Sequence, residues 1–182
     1  CTPTRTSFMT GRYPARTPIG LHEPLVQKDS LAGLTSNYPS IATFMKKSGY
    51  TTHLVGKWHL GFLPAMSPVK NGFDEFFGYN SGGIDHISHT NVLGQKDLYE
   101  NETPVVKKGY LTELFAERTI DIIRRHHTKP FFISLMFSAP HWPLQAPGDT
   151  AYTLGREKWQ EGGYEEKYAA MINSLDQAVG KM

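Results

Sequence analysis

The sequence has a single cysteine, and it stands at position 1. An internal disulfide is therefore excluded, and cysteine usage gives no hint of a redox compartment. Long apolar runs are missing too. No stretch approaches the roughly 18 to 20 apolar residues of a membrane-spanning helix, and no charged segment leads into an apolar one at the N-terminus. Neither sign of charge dominates: 19 Lys and Arg against 17 Asp and Glu leave +2, which gives no reason to expect nucleic acid as a partner. There is no initiating Met, so the chain reads as an internal piece of a gene product whose leader, if it has one, lies upstream. What remains is ordinary: 39% hydrophobic and 12% aromatic residues in 182, enough for one domain with a real core and too few for two.

The lone cysteine opens the most informative stretch, Cys1-Thr2-Pro3-Thr4-Arg5-Thr6-Ser7-Phe8-Met9-Thr10-Gly11-Arg12. Thr2 can cap a helix, Pro3 suits its first position, and Gly11 suits a left-handed exit. Cys1 then stands just ahead of a helix N-terminus, where free N–H groups favour an anion, with Arg5 one turn further on. The reading is a reactive side chain beside an anion cradle. A capped helix that happens to follow a cysteine is the plainer alternative, and an autoproteolytic N-terminal nucleophile is a rival enzyme class. Thr2-Pro3 argues against the strand on which such enzymes usually begin.

Tyr13 to Tyr38 carries scattered Pro and Gly without a sustained period. It reads as a long ordered loop, either a surface excursion or a wall of the site. Ser40 caps a helix with Ile41, Phe44, Met45 and Ser48 along one face and Gly49 closing it, and Tyr50 to Gly56 follows as a strand. Helix feeding strand is α/β grammar. Lys57 and His59 come next, in G-K-W-H-L-G. In open parallel sheets the ligand crevice lies beyond the carboxyl ends of the strands, and residues two apart in extended chain share a face.

Downstream, Gly72-Phe73-Asp74-Glu75-Phe76-Phe77-Gly78 reads as structural, its aromatics packing against the sheet. Ser81, Asp85, His86 and His89 then share a Gly-flanked loop. The H-x-x-H pair lacks a convincing third ligand, so Ser81, Asp85 and His86 are read as lining a substrate pocket. Asp97 to Lys108 is a loop or irregular hairpin. Leu111, Leu114, Phe115, Ile122 and Ile123 mark a helix to about His127, with His126 and His127 as ordinary C-terminal cations. Phe131 to Phe137 reads as a strand buried on both faces. His141 follows it in P-H-W-P-L-Q-A-P, held between Pro140 and Pro143. Tyr164, Tyr168, Met171, Ile172, Leu175 and Val179 give a last amphipathic helix.

Taken in order, C-T-P-T-R with T-G-R, then G-K-W-H-L-G, G-F-D-E-F-F-G and P-H-W-P-L-Q-A-P, these segments resemble the type I sulfatases. Thr4 and Met9 depart mildly from the Ser and Leu more common there. The resemblance implies an α/β fold: a partial alkaline-phosphatase-like sandwich with a mostly parallel central sheet flanked by helices, truncated at both ends. Residues 1–182 would form a single incomplete catalytic domain. It further implies that a formylglycine-generating enzyme, reading Cys1, Pro3 and Arg5, oxidises Cys1 to formylglycine, whose hydrate attacks sulfur. By the same resemblance Arg5 holds the hydrate, Lys57 contacts a sulfuryl oxygen, His59 orients the hydrate or assists its collapse, and His141 binds or protonates the ester oxygen. A Ca²⁺ ion is implied against the sulfate and residue 1. Its other family ligands, an Asp-Asp pair and an Asp-Asn pair, fall outside this chain, so the 182 residues alone are expected neither to bind Ca²⁺ tightly nor to turn over. The substrate would be a sulfate ester of a carbohydrate or an aryl alcohol, and the enzyme exported: periplasmic, extracellular or lysosomal. A phosphonate or phosphate ester hydrolase and a catalytically silent sulfate-binding homologue remain as alternatives.

Overall fold

The computed structural model describes residues 1–21, 25, 32–152 and 164–182. Part of the Tyr13–Tyr38 loop expectation therefore lies outside the described residues. Helix α1 spans Thr2–Thr10 and ends on Gly11 at φ 66, the left-handed exit that glycine tolerates without strain. Its N-cap is Cys1 rather than Thr2, which is buried inside the first turn; the expected start was one residue late. Two short 3₁₀ turns, Pro14–Arg16 and Pro18–Leu21, follow.

Helix α2, Ile41–Lys47, starts as expected: Ser40 accepts a bond from the Thr43 N–H, and the Ser40 hydroxyl donates to Asn71 O at 2.5 Å. Its inward face differs from the expected one. Ala42 is fully buried while Phe44 is exposed. Strand β1, Thr51–Lys57, pairs in parallel with β2, Glu75–Tyr79, on one side and β5, Phe131–Met136, on the other. Between β2 and β5 in sequence, Tyr99–Glu100 (β3) and Thr103–Pro104 (β4) form the irregular hairpin, with β3 antiparallel to β2 and β4 antiparallel to β3. The sheet order is β4-β3-β2-β1-β5. The sheet is mixed, with its three longer strands parallel and the hairpin antiparallel.

In the G-F-D-E-F-F-G segment Phe73 packs in the core beside Trp58 as expected, while the residues from Glu75 on form a strand of the sheet itself. Successive side chains alternate faces, so Phe76 joins Leu54, Phe132 and Met136 beneath α1 and α2, while Phe77 joins Val55, Ile133 and Leu135 beneath α3, Leu111–His126. Phe115 of α3 meets Phe77 edge-on at 6.0 Å and stacks on Tyr79 at 6.5 Å. Strand β5 departs from the reading of a fully buried strand. It sits at the sheet edge, and of its residues only Ser134 is buried. The last helix, α4 (Glu165–Gly180), buries Met171 and Ala178 but leaves Tyr168, Ile172 and Val179 substantially exposed, so only part of its apolar face is covered.

Candidate active site

Lys57 ends β1, and the loops after β2 and β5 open at the same carboxyl edge of the parallel strands; the start of α1 reaches that edge as well. Cys1 makes no side-chain cap bond to its own helix. Its Sγ instead accepts from Lys57 Nζ at 3.4 Å. Lys57 is 2% exposed, and its ammonium also donates to Gly82 O. Arg5, one turn into α1, donates from Nη1 to Lys57 O at 2.7 Å, which ties the helix start to the strand end. Burial lowers the Arg5 pKa below its ordinary value, but it stays cationic at any working pH.

His59 reaches this place by a different route from the expected one. Its backbone is left-handed, φ 52, and not extended. The ring then turns so that Nε2 lies 3.0 Å from Leu25 O. A carbonyl only accepts, so Nε2 carries a proton there. Gly82 lies over this imidazole: a Cβ there would sit 3.0 Å from both Cε1 and Nε2. Lys57 and His59 thus share one partner, with the ammonium on the Gly82 carbonyl and the imidazole against its α-carbon.

His141 is exposed on the loop after β5, its N–H bonded to Ser138 O at 2.8 Å. Nδ1 lies 2.8 Å from Trp142 O, so it carries a proton, which leaves Nε2 as the nitrogen able to gain or give one. The pKa is lowered first by burial of ring atoms and next by the positive charges of Lys57 and then Arg5. Those charges act on His141 because the three groups face one region.

The other pocket residues are turned inward. The Ser81 hydroxyl donates to Gly83 O at 2.9 Å and to Asp97. Asp97 also accepts the N–H groups of Asn80 and Ser81, and burial raises its pKa. Asp85 is fully buried and accepts from Ile87 N, Ser88 N, Tyr152 N and Gln145 Nε2, all at 2.7 to 2.9 Å. Burial would raise this carboxyl, yet the four donors together hold it below its ordinary pKa. His86 is fully buried against Tyr110, with ring centroids 5.7 Å apart, and burial pushes its pKa down to about 4. Its ring is therefore neutral, and it lies near the backbone of His141. His89 is not beside it as a ligand partner; its Nε2 meets Gly109 O at 3.1 Å.

Gln145 was not singled out as a functional residue in the sequence, and it is the centre of this network. Its Oε1 accepts His86 N at 2.7 Å, its Nε2 donates to Asp85 at 2.8 Å, and its backbone carbonyl accepts the Tyr110 hydroxyl at 2.8 Å. One side chain thereby fixes the His141 loop to the Gly82 loop. The signal was present only as the Q of P-L-Q-A-P; its partners lie 59, 60 and 35 positions away.

The site is one of cations and imidazoles arranged around a thiol, and comparison with known proteins agrees with it. The Sulfatase family model matches residues 1–182. This chain belongs to the sulfatase family. It is 35% identical over 195 residues to mouse arylsulfatase J, covering 98% of this chain and 31% of that protein. It is 30% identical over 201 residues to mouse N-acetylgalactosamine-6-sulfatase, covering all of this chain and 37% of that protein. The crystal structure of Ps i-CgsB in complex with k-i-k-neocarrahexaose superposes with a TM-score of 0.81 at 26% identity, over all of this chain and 43% of that one. The sulfatase chain thus spans about a third of the length of the curated relatives it matches, and its mixed α/β sheet is the sulfatase fold.

The family's Ca²⁺ can be tested against the residues present. A hard cation takes about six to eight oxygen ligands, mostly carboxylates. Lys57 meets Cys1, the charges of Lys57 and Arg5 reach His141, and the carboxylates of the adjoining loops, Asp85 and Asp97, are taken by internal donors. This set does not hold Ca²⁺ by itself.

Proposed function

We propose that this chain carries the nucleophile and the cationic wall of a sulfate ester hydrolase, within one catalytic domain to which residues 1–182 contribute. The observation that supports it most is the Lys57 ammonium 3.4 Å from Cys1 Sγ, with Arg5 and His141 facing the same place. A buried cation beside a nucleophile is what a sulfuryl group needs: charge that is already in position when the transition state forms.

Formylglycine, made from Cys1, supplies the hydrated aldehyde that serves as nucleophile. Arg5 and the open N-terminus of α1 orient the group at residue 1. Lys57 holds a sulfuryl oxygen, its position fixed by Gly82 O. His59, anchored through Nε2 on Leu25 O, orients the group at residue 1 or assists its collapse. His141, protonated at Nε2, gives one to the leaving oxygen. Ser81, Asp85 and His86 serve the pocket by holding the Gly82 and His141 loops, since their polar groups are turned into the protein. No step is assigned to Ca²⁺; its oxygen ligands would come from residues other than these.

The substrate class we infer is a sulfated carbohydrate. N-acetylgalactosamine-6-sulfatase is named for one, and Ps i-CgsB was solved with an oligosaccharide. Export to a periplasmic, extracellular or lysosomal space and modification by a formylglycine-generating enzyme belong to the same reading. Among the described residues no helix is long and apolar enough to cross a membrane.

Mass spectrometry of the Cys1 peptide from the full-length protein in its native host tests the reading. Conversion of the thiol to the aldehyde is expected. Unmodified thiol throughout would favour a silent sulfate-binding homologue, and faster cleavage of an aryl phosphate than of the matched sulfate would favour a phosphate or phosphonate hydrolase.

A further inference from the structure

At the opposite, amino end of the parallel strands, three metal-ligating side chains converge that the sulfatase reading leaves unused. His53 is the third residue of β1, Glu75 opens β2 in direct register with it, and His126 ends α3. One ligand atom from each lies within 4.8 Å of the other two. At about 3.3 Å per residue along β1, His53 stands on the order of 13 Å from Lys57, so this cluster is separate from the catalytic edge.

His53 supplies the second observation. Its side chain is 1% exposed, Nε2 has no hydrogen-bond partner, and Nδ1 meets only the Glu75 carboxylate, whereas buried polar groups are normally satisfied. Its Nδ1 faces Glu75 Oε2 at 3.4 Å. Two ligand atoms at about 2.0 to 2.1 Å from a tetrahedral ion stand roughly 3.3 to 3.4 Å apart, so His53 and Glu75 already have that spacing. His126, half-exposed on the last turn, has its ring centroid 4.8 Å from that of His53.

We infer that His53, Glu75 and His126 form a second metal site, for a borderline divalent cation such as Zn²⁺ and not for Ca²⁺, whose preference is for oxygen. Two imidazoles and one carboxylate are a Zn²⁺ donor set with a fourth position left for water. Arg125 borders the cluster: Nη1 and Nη2 hold the two Glu75 oxygens at 3.0 and 2.9 Å, Nη1 also lies 3.5 Å from His126 Nε2, and Nε is tied to Asp121 at 2.9 Å. Ligating carboxylates are commonly bonded onward in this way. The two carboxylates Glu75 and Asp121 outweigh the one guanidinium of Arg125, which favours a cation.

The test is a Co²⁺ titration of the full-length protein in excess Ca²⁺, read by visible d–d absorption. One equivalent should give the strong bands of a tetrahedral ion, and Zn²⁺ should bleach them. His53→Ala and the half-exposed His126→Gln should each weaken binding on the order of a hundredfold, with sulfate ester turnover unchanged in His126→Gln. Circular dichroism verifies that the variants are folded. If His53→Ala does not fold, His126→Gln alone decides. Absence of the bands in the wild-type protein, or equal bands in folded His126→Gln, would overturn the site.

Discussion

Lys57 Nζ lies 3.4 Å from Cys1 Sγ although 56 positions of chain separate them, and Arg5 closes the arrangement by bonding the carbonyl of that same lysine. Helix start and strand end are thereby locked to each other at the point where chemistry is proposed. Lys57→Met keeps the length of the side chain and removes its charge. Turnover of an aryl sulfate by the full-length protein should fall on the order of 100- to 1,000-fold in kcat, with circular dichroism unchanged. A loss confined to KM would mean that the ammonium binds the ground state only.

Gly82 should tolerate no side chain. A Cβ would press at 3.0 Å on the His59 ring, and the carbonyl it carries is the one that positions Lys57. Gly82→Ala should therefore lower kcat at least tenfold with a small change in melting temperature, measured on the same preparation. Full activity would show that His59 and Lys57 are not held through this residue.

Gln145→Ala removes the link between the two loops. It leaves His86 N and Asp85 Oδ2 buried with a partner lost, a cost of about 1–3 kcal/mol, to be measured by urea unfolding. Because Gln145 ties the loop that carries His141 to the Gly82 loop, its loss should also cut turnover more for substrates with poor leaving groups than for good ones.

The pH profile should carry the mark of His141. Its pKa is depressed by burial and by the neighbouring cations Lys57 and Arg5, and a proton donor is lost as pH rises through its pKa. For esters with poor leaving groups, kcat should therefore begin to fall at lower pH than an ordinary histidine would give. With good leaving groups, or in His141→Ala, that limb should be absent.

His86 should make the fold acid-sensitive. Its folded pKa is about 4 against an ordinary 6.5, so below pH 6.5 the unfolded chain binds a proton that the native chain refuses. The stability is complete above 6.5 and drains away as pH falls toward 4, by about 3 kcal/mol. Melting temperature against pH should be flatter over that window in His86→Phe; equal slopes would remove His86 as the cause.

Much of this arrangement was legible in the sequence because its causes are local. Ser40 caps α2 with its own side chain, Gly11 ends α1 in the left-handed region that favours glycine, and Lys57 ends a strand rich in β-formers. What escaped has distant causes. The segment Glu75–Tyr79 is a strand covered on both faces, so it shows no alternation to read. Thr2 and Cys1 compete for the cap, and the choice is made by packing that buries Thr2. Gln145 has no local partner among its polar groups save Thr150, and His126 looked like a helix-end cation until β1 brought His53 beneath it.

Release of inorganic sulfate from an aryl sulfate by the full-length protein, compared between wild type and Cys1→Ala, tests the central claim most directly. The account requires steady release by the wild type and background release by the variant, with Lys57, Arg5 and His141 intact in both. Equal rates in the two proteins would contradict it.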